Sequence, residues 1–251
     1  VGNALYHDVG YKEIGALNSE SQWRKLRAQY YGLCSMVDTQ IGKIIDALEA
    51  NNIMDNTIIV FTGDHGDMMG SHGLVAKCTM YEEAVRVPLL VKLPDQKHAK
   101  QINGAISQID IVPTLLDMLN CVIPERLQGV SRANVMNGNS RTVLDDDVFI
   151  EWNGADFGIY KKGLDDIYIP ESIQGQVSIE DIAKSLSSPA RTIITPELIK
   201  LTISADGSHE LYDLNNDPGE ENNLINEDEY RITIQSLSEK IINWQMHTKD
   251  P

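Results

Sequence analysis

The sequence predicts an α/β fold: a mostly parallel sheet sandwiched by helices, followed by a small C-terminal antiparallel sheet plus helix. Three observations carry this. A long helical pattern runs directly into the β-branched stretch Thr57 to Thr62. A second apolar run, Val87 to Leu93, is followed by another helical pattern. Two further strand-like runs then meet at Asp206-Gly207 ahead of a closing amphipathic stretch. Alternating helix and strand makes a parallel sheet with helices on its faces the economical architecture.

In chain order, residues 1 to 18 lack a period and read as loop, with His7 in a turn. From Ser21 to Asn52, Trp23, Leu26, Tyr30, Leu33, Val37, Ile41, Ile44, Ile45 and Leu48 recur at spacings of three and four, which predicts one long helix ending at Asn51-Asn52. Thr57 to Thr62 has the pattern of a strand buried on both faces. Val87 to Leu93 is the next strand, closed by Pro94. Ser107 to Leu119 predicts a helix with Asp110 as its cap and Pro113 in its first turn. Val148 to Trp152 is one more strand, and Asn153 to Ser188 is the least patterned region, with a short helical candidate near Ile179 to Leu186. Arg191 to Ile203 and His209 to Leu214 read as a hairpin turning at Asp206-Gly207, and Asp228 to His247 as the closing helix. The expected division is 1–150 for the α/β part, 151–190 for an irregular insertion on the substrate side, and 191–251 for a small α+β subdomain.

Composition narrows the function. With 42% apolar and 23% charged residues the chain is an ordinary globular protein, and 251 residues suffice for a full core. A net charge of -16, from 21 basic and 37 acidic residues, argues against nucleic acid as a partner. No apolar run approaches the roughly 18 residues of a membrane span, so no membrane association is expected, and the compartment, cytoplasmic or periplasmic or secreted, stays open. Cys34, Cys78 and Cys121 are in neither disulfide-framework nor zinc-type spacing. The chain opens at Val1 in mid-pattern, and a further amino-terminal part is expected.

The chemistry concentrates between Thr57 and Glu82. The predicted strand ends in Gly63-Asp64-His65-Gly66, which puts a carboxylate and an imidazole at a strand's carboxyl end, where open α/β sheets bind ligands. Gly63 and Gly66 permit the sharp turn that lets both face one cation. A solvated turn is the plain reading of Asp-His-Gly alone, but the continuation, with Gly70, His72, Gly73 and Lys77 ahead of Tyr81-Glu82, is too polar and glycine-rich to be packing. An anionic substrate would be attracted there by a cation and a placed lysine. The Asp-His pair suits a hard cation such as calcium and is compatible with softer metals. His98, His209 and His247 read as solvated or scaffold residues.

This string resembles the sulfatases of the alkaline phosphatase superfamily: strand, Asp64-His65-Gly66, a Ser71-His72-Gly73 stretch, Lys77, then Met80-Tyr81-Glu82 before Arg86-Val87-Pro88-Leu89. The Asp110-x-x-Pro113-Thr114 helix start and the stretch Glu210-Leu211-Tyr212-Asp213 through Asp217-Pro218, Glu220 and Asn223-Leu224 fit the same family, with Ile199 where it has an aromatic residue. The resemblance implies an alkaline phosphatase-like sheet, Ca2+ held by Asp64 and His65, and Lys77 as the catalytic, sulfate-binding lysine. His72 would either line the leaving-group side as a substrate-binding residue or hold the loop. The family's nucleophile is a formylglycine made in a Cys-x-Pro-x-Arg motif. Cys34, Cys78 and Cys121 are followed by Ser-Met-Val, Thr-Met-Tyr and Val-Ile-Pro, so that motif and the remaining metal ligands are expected outside this sequence and residues 1–251 alone are expected to be inactive. The implied activity is hydrolysis of a small-molecule or sugar sulfate ester. A phosphonate or phosphodiester hydrolase of the same superfamily and a non-catalytic module are the alternatives.

Overall fold

The computed structural model describes residues 19–136, 146–154 and 187–250, together with Ser178, Glu180, Asp181 and Lys184. The described residues fall into two compact units, residues 19–99 in one and residues 100–154 with 187–250 in the other. Most of the helical candidate at 179 to 186 and most of the insertion 151–190 lie outside the described residues.

The first unit opens with helix α1, Glu20–Ala50. Its start is set by a capping box: the Gln22 amide donates to Ser19 Oγ at 3.3 Å, and the Ser19 amide donates to Gln22 Oε1 at 3.0 Å. Asn51 caps its end, and Asn52 reverses the chain at φ 55°. No residue of α1 is fully buried, and Leu33, Val37 and Ile44 of its apolar stripe are exposed. Periodicity therefore placed the helix correctly without saying what covers its stripe.

Strands β1 (Ile59–Thr62) and β2 (Leu89–Lys92) pair antiparallel, with Ile59 opposite Lys92 and Thr62 opposite Leu89. The mostly parallel sheet expected from the sequence is not what the described strands form, because every pairing among them is antiparallel. A parallel pair needs a crossover helix spanning the strand length. The connection from β1 to β2 instead holds a three-residue 3₁₀ turn, Ser71–Gly73, and the single-turn helix α2, Glu82–Val85. Nor is β1 buried on both faces: Ile59 and Val60 are half-buried, and Phe61 and Thr62 exposed.

The second unit begins with a 3₁₀ turn, Gln108–Asp110, leading into α3, Ile111–Met118. Asp110 occupies the cap position but makes no side-chain cap bond. Its carboxylate instead accepts from the Val130 amide and from Arg132 Nε, both at 2.8 Å, tying α3 to the chain before α4 (Ala133–Met136). The buried acid thus pairs with a guanidinium and not with the amides of the helix start, where Pro113 has none to offer.

Four antiparallel strands follow in the order β3-β4-β5-β6: Val148–Trp152, Ala190–Ile194, Ile199–Ser204 and Glu210–Asp213. The run Arg191 to Ile203, expected as one strand, is two, because Thr195-Pro196-Glu197-Leu198 turns between them with Leu198 at φ 63°. Proline and a left-handed residue cannot continue a ladder. The turn at Asp206-Gly207 is as expected, and His209 is a scaffold residue there, its Nδ1 accepting from the Ser204 amide at 3.2 Å. Helix α5, Arg231–Thr248, lays Leu237 and Ile241 on Ile193, Leu201 and Leu211, closing the core. The small antiparallel sheet plus helix predicted for the C-terminus is therefore present, with β3 as its fourth strand.

The acidic and amide residues after β6 build turns. Asp213 Oδ1 accepts from the Asn215 amide at 3.0 Å, Asp217 Oδ2 from the Asn222 amide at 2.8 Å, and Asn223 Oδ1 from the Leu211 amide at 3.0 Å. Each carboxylate or amide oxygen satisfies backbone donors that no ladder reaches.

Candidate functional site

Gly63 carries the chain off β1, and Asp64 and His65 follow at the surface. Asp64 Oδ1 accepts the His65 amide at 3.0 Å, and His65 Nε2 lies 3.4 Å from Asp64 Oδ2. The Asp64 carboxyl is held below its ordinary value first by that backbone amide and then by its own, with the charges of His65 and Lys77 assisting. His65 Nδ1 is 2.9 Å from the Gly66 carbonyl oxygen. In the neutral imidazole, Nδ1–H donated to that carbonyl leaves the lone pair on Nε2, which lies beside the carboxylate. A backbone carbonyl fixing the tautomer of an imidazole is the arrangement found behind metal-ligating histidines.

The two glycines serve this loop differently from the expectation. Neither Gly63 nor Gly66 adopts a positive φ. Gly66 is required by proximity: its amide donates to the Ala84 carbonyl at 2.8 Å, and a Cβ would sit 1.9 Å from the Glu83 carbonyl oxygen. A methyl group there cannot be accommodated without moving α2 or the Asp64-His65 turn.

Residues 67 to 79 form a closed loop. The Met68 amide donates to the Ala76 carbonyl at 2.7 Å and the Gly70 amide to the Leu74 carbonyl at 2.8 Å. Met68 and Leu74 are buried with Ala84, and Tyr81 packs on them. Helix α1 braces the outside, with Arg27 Nε donating to the Met69 carbonyl at 3.1 Å and Trp23 against Gly70. Met69, His72, Ala76 and Cys78 all have positive φ, 45°, 54°, 64° and 75°. Left-handed non-glycine residues cost on the order of 1 to 3 kcal/mol each and persist where the surroundings over-determine them. Lys77 sits between two of them, half-buried. Its positive charge is the least of the effects that lower the Asp64 carboxyl.

His72 stacks face to face on Tyr81, with ring centroids 3.9 Å apart and planes 7° from parallel, and its other side is exposed. Tyr81 and Asp67 were not singled out as site residues in the sequence. Asp67 carried a signal, since an Asp two residues before a glycine-rich turn offers its carboxylate to following amides. Among the described residues no group of three or more histidine, cysteine or acidic side chains is placed to hold a metal ion, so Asp64 and His65 stand as a pair.

The sulfatase family model matches residues 6–121, which contain the whole of this site. Over those residues the chain is similar to the sulfatases. It is similar to an arylsulfatase of Clostridium perfringens, 29% identical over 91% of this chain and 41% of that protein. Among solved structures it resembles a Bacteroides thetaiotaomicron VPI-5482 protein assigned to the sulfatases, with a TM-score of 0.80 at 25% identity, covering 100% of this chain and 49% of that one. It also resembles a phosphonate monoester hydrolase of Agrobacterium radiobacter, with a TM-score of 0.72 at 26% identity, covering 92% of this chain and 43% of that one. The chain thus spans about half or less of the length of the proteins it matches. Its three cysteines are free thiols, and no helix among the described residues is long and apolar enough to cross a membrane.

Proposed function

We propose that the protein carrying this chain hydrolyses a sulfate monoester, releasing inorganic sulfate, and that this chain contributes the cation-binding pair Asp64 and His65 and the oxyanion-holding Lys77. The observation that carries the reading is the shape of the Asp64 to Lys77 segment. The imidazole is turned by the Gly66 carbonyl so that Nε2 and Asp64 Oδ2 face one region, and Lys77 is close enough for its charge to act on that carboxylate.

The donor set suits a divalent cation, Ca2+ by family resemblance, which when bound would offset the negative oxygens of a sulfate ester. This chain's residues do the rest of the local work. Asp64 and His65 hold the cation at the end of β1. Lys77, a point charge with three donors, binds a sulfuryl oxygen and offsets charge arising as the ester bond breaks. His72, backed by Tyr81, presents an exposed ring face beside the loop that bears Lys77, suited to the alcohol part of a small-molecule or sugar sulfate. The nucleophile is a formylglycine by resemblance only, and none of Cys34, Cys78 and Cys121 carries its Cys-x-Pro-x-Arg motif.

A phosphonate or phosphodiester hydrolase is the second reading, favoured by the likeness to a phosphonate monoester hydrolase and by a cation and lysine that serve phosphorus as well as sulfur. Turnover of an aryl sulfate and of an aryl phosphonate by the full-length protein separates the two. Faster sulfate release, reduced about 30- to 1,000-fold by Lys77→Ala, is expected, because one oxyanion contact contributes on the order of 2 to 4 kcal/mol. Preference for the phosphonate, or full activity without Lys77, overturns the reading.

A further inference from the structure

The geometry points to Asp67 as the positioning residue for Lys77. This inference rests on the reading of Lys77 as the group that holds the substrate oxyanion. One oxygen of Asp67, Oδ1, accepts both the Met69 amide at 3.0 Å and the Ala76 amide at 3.2 Å. Those two amides stand at opposite ends of the loop, and both belong to residues with positive φ. Ala76 immediately precedes Lys77. The Met68 amide, next to Asp67 in the chain, donates to the Ala76 carbonyl at 2.7 Å, so Ala76 is held at both its amide and its carbonyl.

The grip matters because the local backbone preference opposes it. Ala76 and Cys78 hold left-handed conformations that alanine and cysteine do not choose, and Lys77 lies between them. Without the Asp67 bond, Ala76 relaxes toward ordinary φ and the base of the Lys77 side chain rotates with it. A flexible lysine finds a sulfate oxygen only if its Cα is held, and a displacement of about 1 Å at a positioned group is enough to cost up to roughly a hundredfold in rate. Asp67 is suited to this as an acid, since an ionised oxygen accepts two backbone donors more strongly than a neutral one does. Its near neighbours leave it that task. The Arg27 guanidinium is directed to the Met69 carbonyl, and Met68 and Leu74 fill the loop from within.

The test uses the full-length protein and an aryl sulfate, with Asp67→Ala and Asp67→Asn made alone and combined with Lys77→Ala. Asp67→Ala is expected to lower kcat by about tenfold or more with a smaller change in KM, and Asp67→Asn, whose amide oxygen still accepts, by about two- to fivefold. Neither substitution should lower the residual rate of Lys77→Ala further, because a group that acts through Lys77 has nothing left to position. If Asp67→Ala fails to fold, the Asp67→Asn pair of measurements decides. A silent Asp67→Asn, or a loss of the same size in the presence and absence of Lys77, overturns the inference while leaving Lys77 in its role. Full activity of Lys77→Ala overturns the reading of Lys77 instead.

Discussion

The Lys200 ammonium lies 2.8 Å from a Glu220 carboxylate oxygen, and each side chain is only 1% exposed. Lys200 is in β5, and Glu220, at φ 53°, is in the turn that returns from β6 toward α5. Removing one partner leaves a charge in the core. Glu220→Gln should therefore destabilise the protein by about 3 to 5 kcal/mol, whereas Glu220→Leu combined with Lys200→Met should cost much less, because a buried pair replaced by apolar groups costs little. Chemical denaturation of the two variants and the parent checks this. A Glu220→Gln protein as stable as the parent would show that the pair contributes nothing.

Gly66→Ala is expected to disturb the site from a distance of one residue. The added methyl meets the Glu83 carbonyl oxygen at 1.9 Å, backbone against backbone, so either the Asp64-His65 turn or α2 must shift. The bond from the Gly66 amide to Ala84 then weakens. Overpacking of this kind costs about 1 to 3 kcal/mol. The melting temperature should fall and divalent-cation affinity with it, whereas Gly63→Ala, whose Cβ would meet only ordinary contacts from 3.6 Å outward, should be far milder. Equal effects of the two substitutions would show that close approach is not what Gly66 provides.

What the sequence made legible follows from what is local. The Ser21 to Asn52 helix, the Asp206-Gly207 turn and the turn that sets Asp64 beside His65 are written in adjacent residues whose propensities and side chains act within one turn of chain. Strand direction is not local, so β1 and β2 could be found but their antiparallel pairing could not. The break at Pro196 was missed because Thr192-Ile193-Ile194 and Ile199-Lys200-Leu201 look alike on either side, and the strength of the β pattern hid the turn. Asp110 shows the same limit within the second unit. A cap position is recognisable from Asp-x-x-Pro, but its true partner Arg132 is 22 residues away. In the site, Lys77 stood out by motif, while Asp67 and Tyr81 owe their roles to contacts across 9 residues each, to Ala76 and His72.

Acid should weaken the closure of the second unit. Asp250 accepts Arg191 Nη2 at 2.7 Å on Oδ1 and Arg191 Nε on Oδ2, and its carboxyl is held below the ordinary 3.8, chiefly by Arg191, against the opposing effect of burial. Because the native value is the lower one, the unfolded chain takes up the proton first. The contribution is complete above pH 3.8 and is lost as pH falls below it through the native value. Stability measured from pH 7 down to pH 2 should therefore decline more steeply in the parent than in Asp250→Asn, which begins less stable at pH 7. Parallel curves would show that Asp250 is not responsible for the decline.

Asp64 is the residue on which the cation reading depends most directly. Its side chain is 87% exposed, so its carboxylate is not there to fill space, and its bonds within the protein are to nearby backbone and to the edge of His65. An exposed carboxylate 3.4 Å from an imidazole nitrogen whose other nitrogen is already committed to Gly66 has room between the two for an ion to bridge them. Hard divalent cations gain most from a full negative charge, and a neutral oxygen replaces it poorly. Calcium titration of the full-length protein, followed by calorimetry or by the rise in melting temperature with added ion, should show affinity falling at least about tenfold in Asp64→Ala and less in Asp64→Asn, which keeps an oxygen donor. His65→Ala should fall between the parent and Asp64→Ala, since it removes a donor but no charge. Lys77→Ala should bind the ion no more weakly than the parent, because it removes a neighbouring positive charge. Undiminished calcium affinity in Asp64→Ala would remove Asp64 from the cation site and, with it, the proposed division of labour between the Asp-His pair and Lys77.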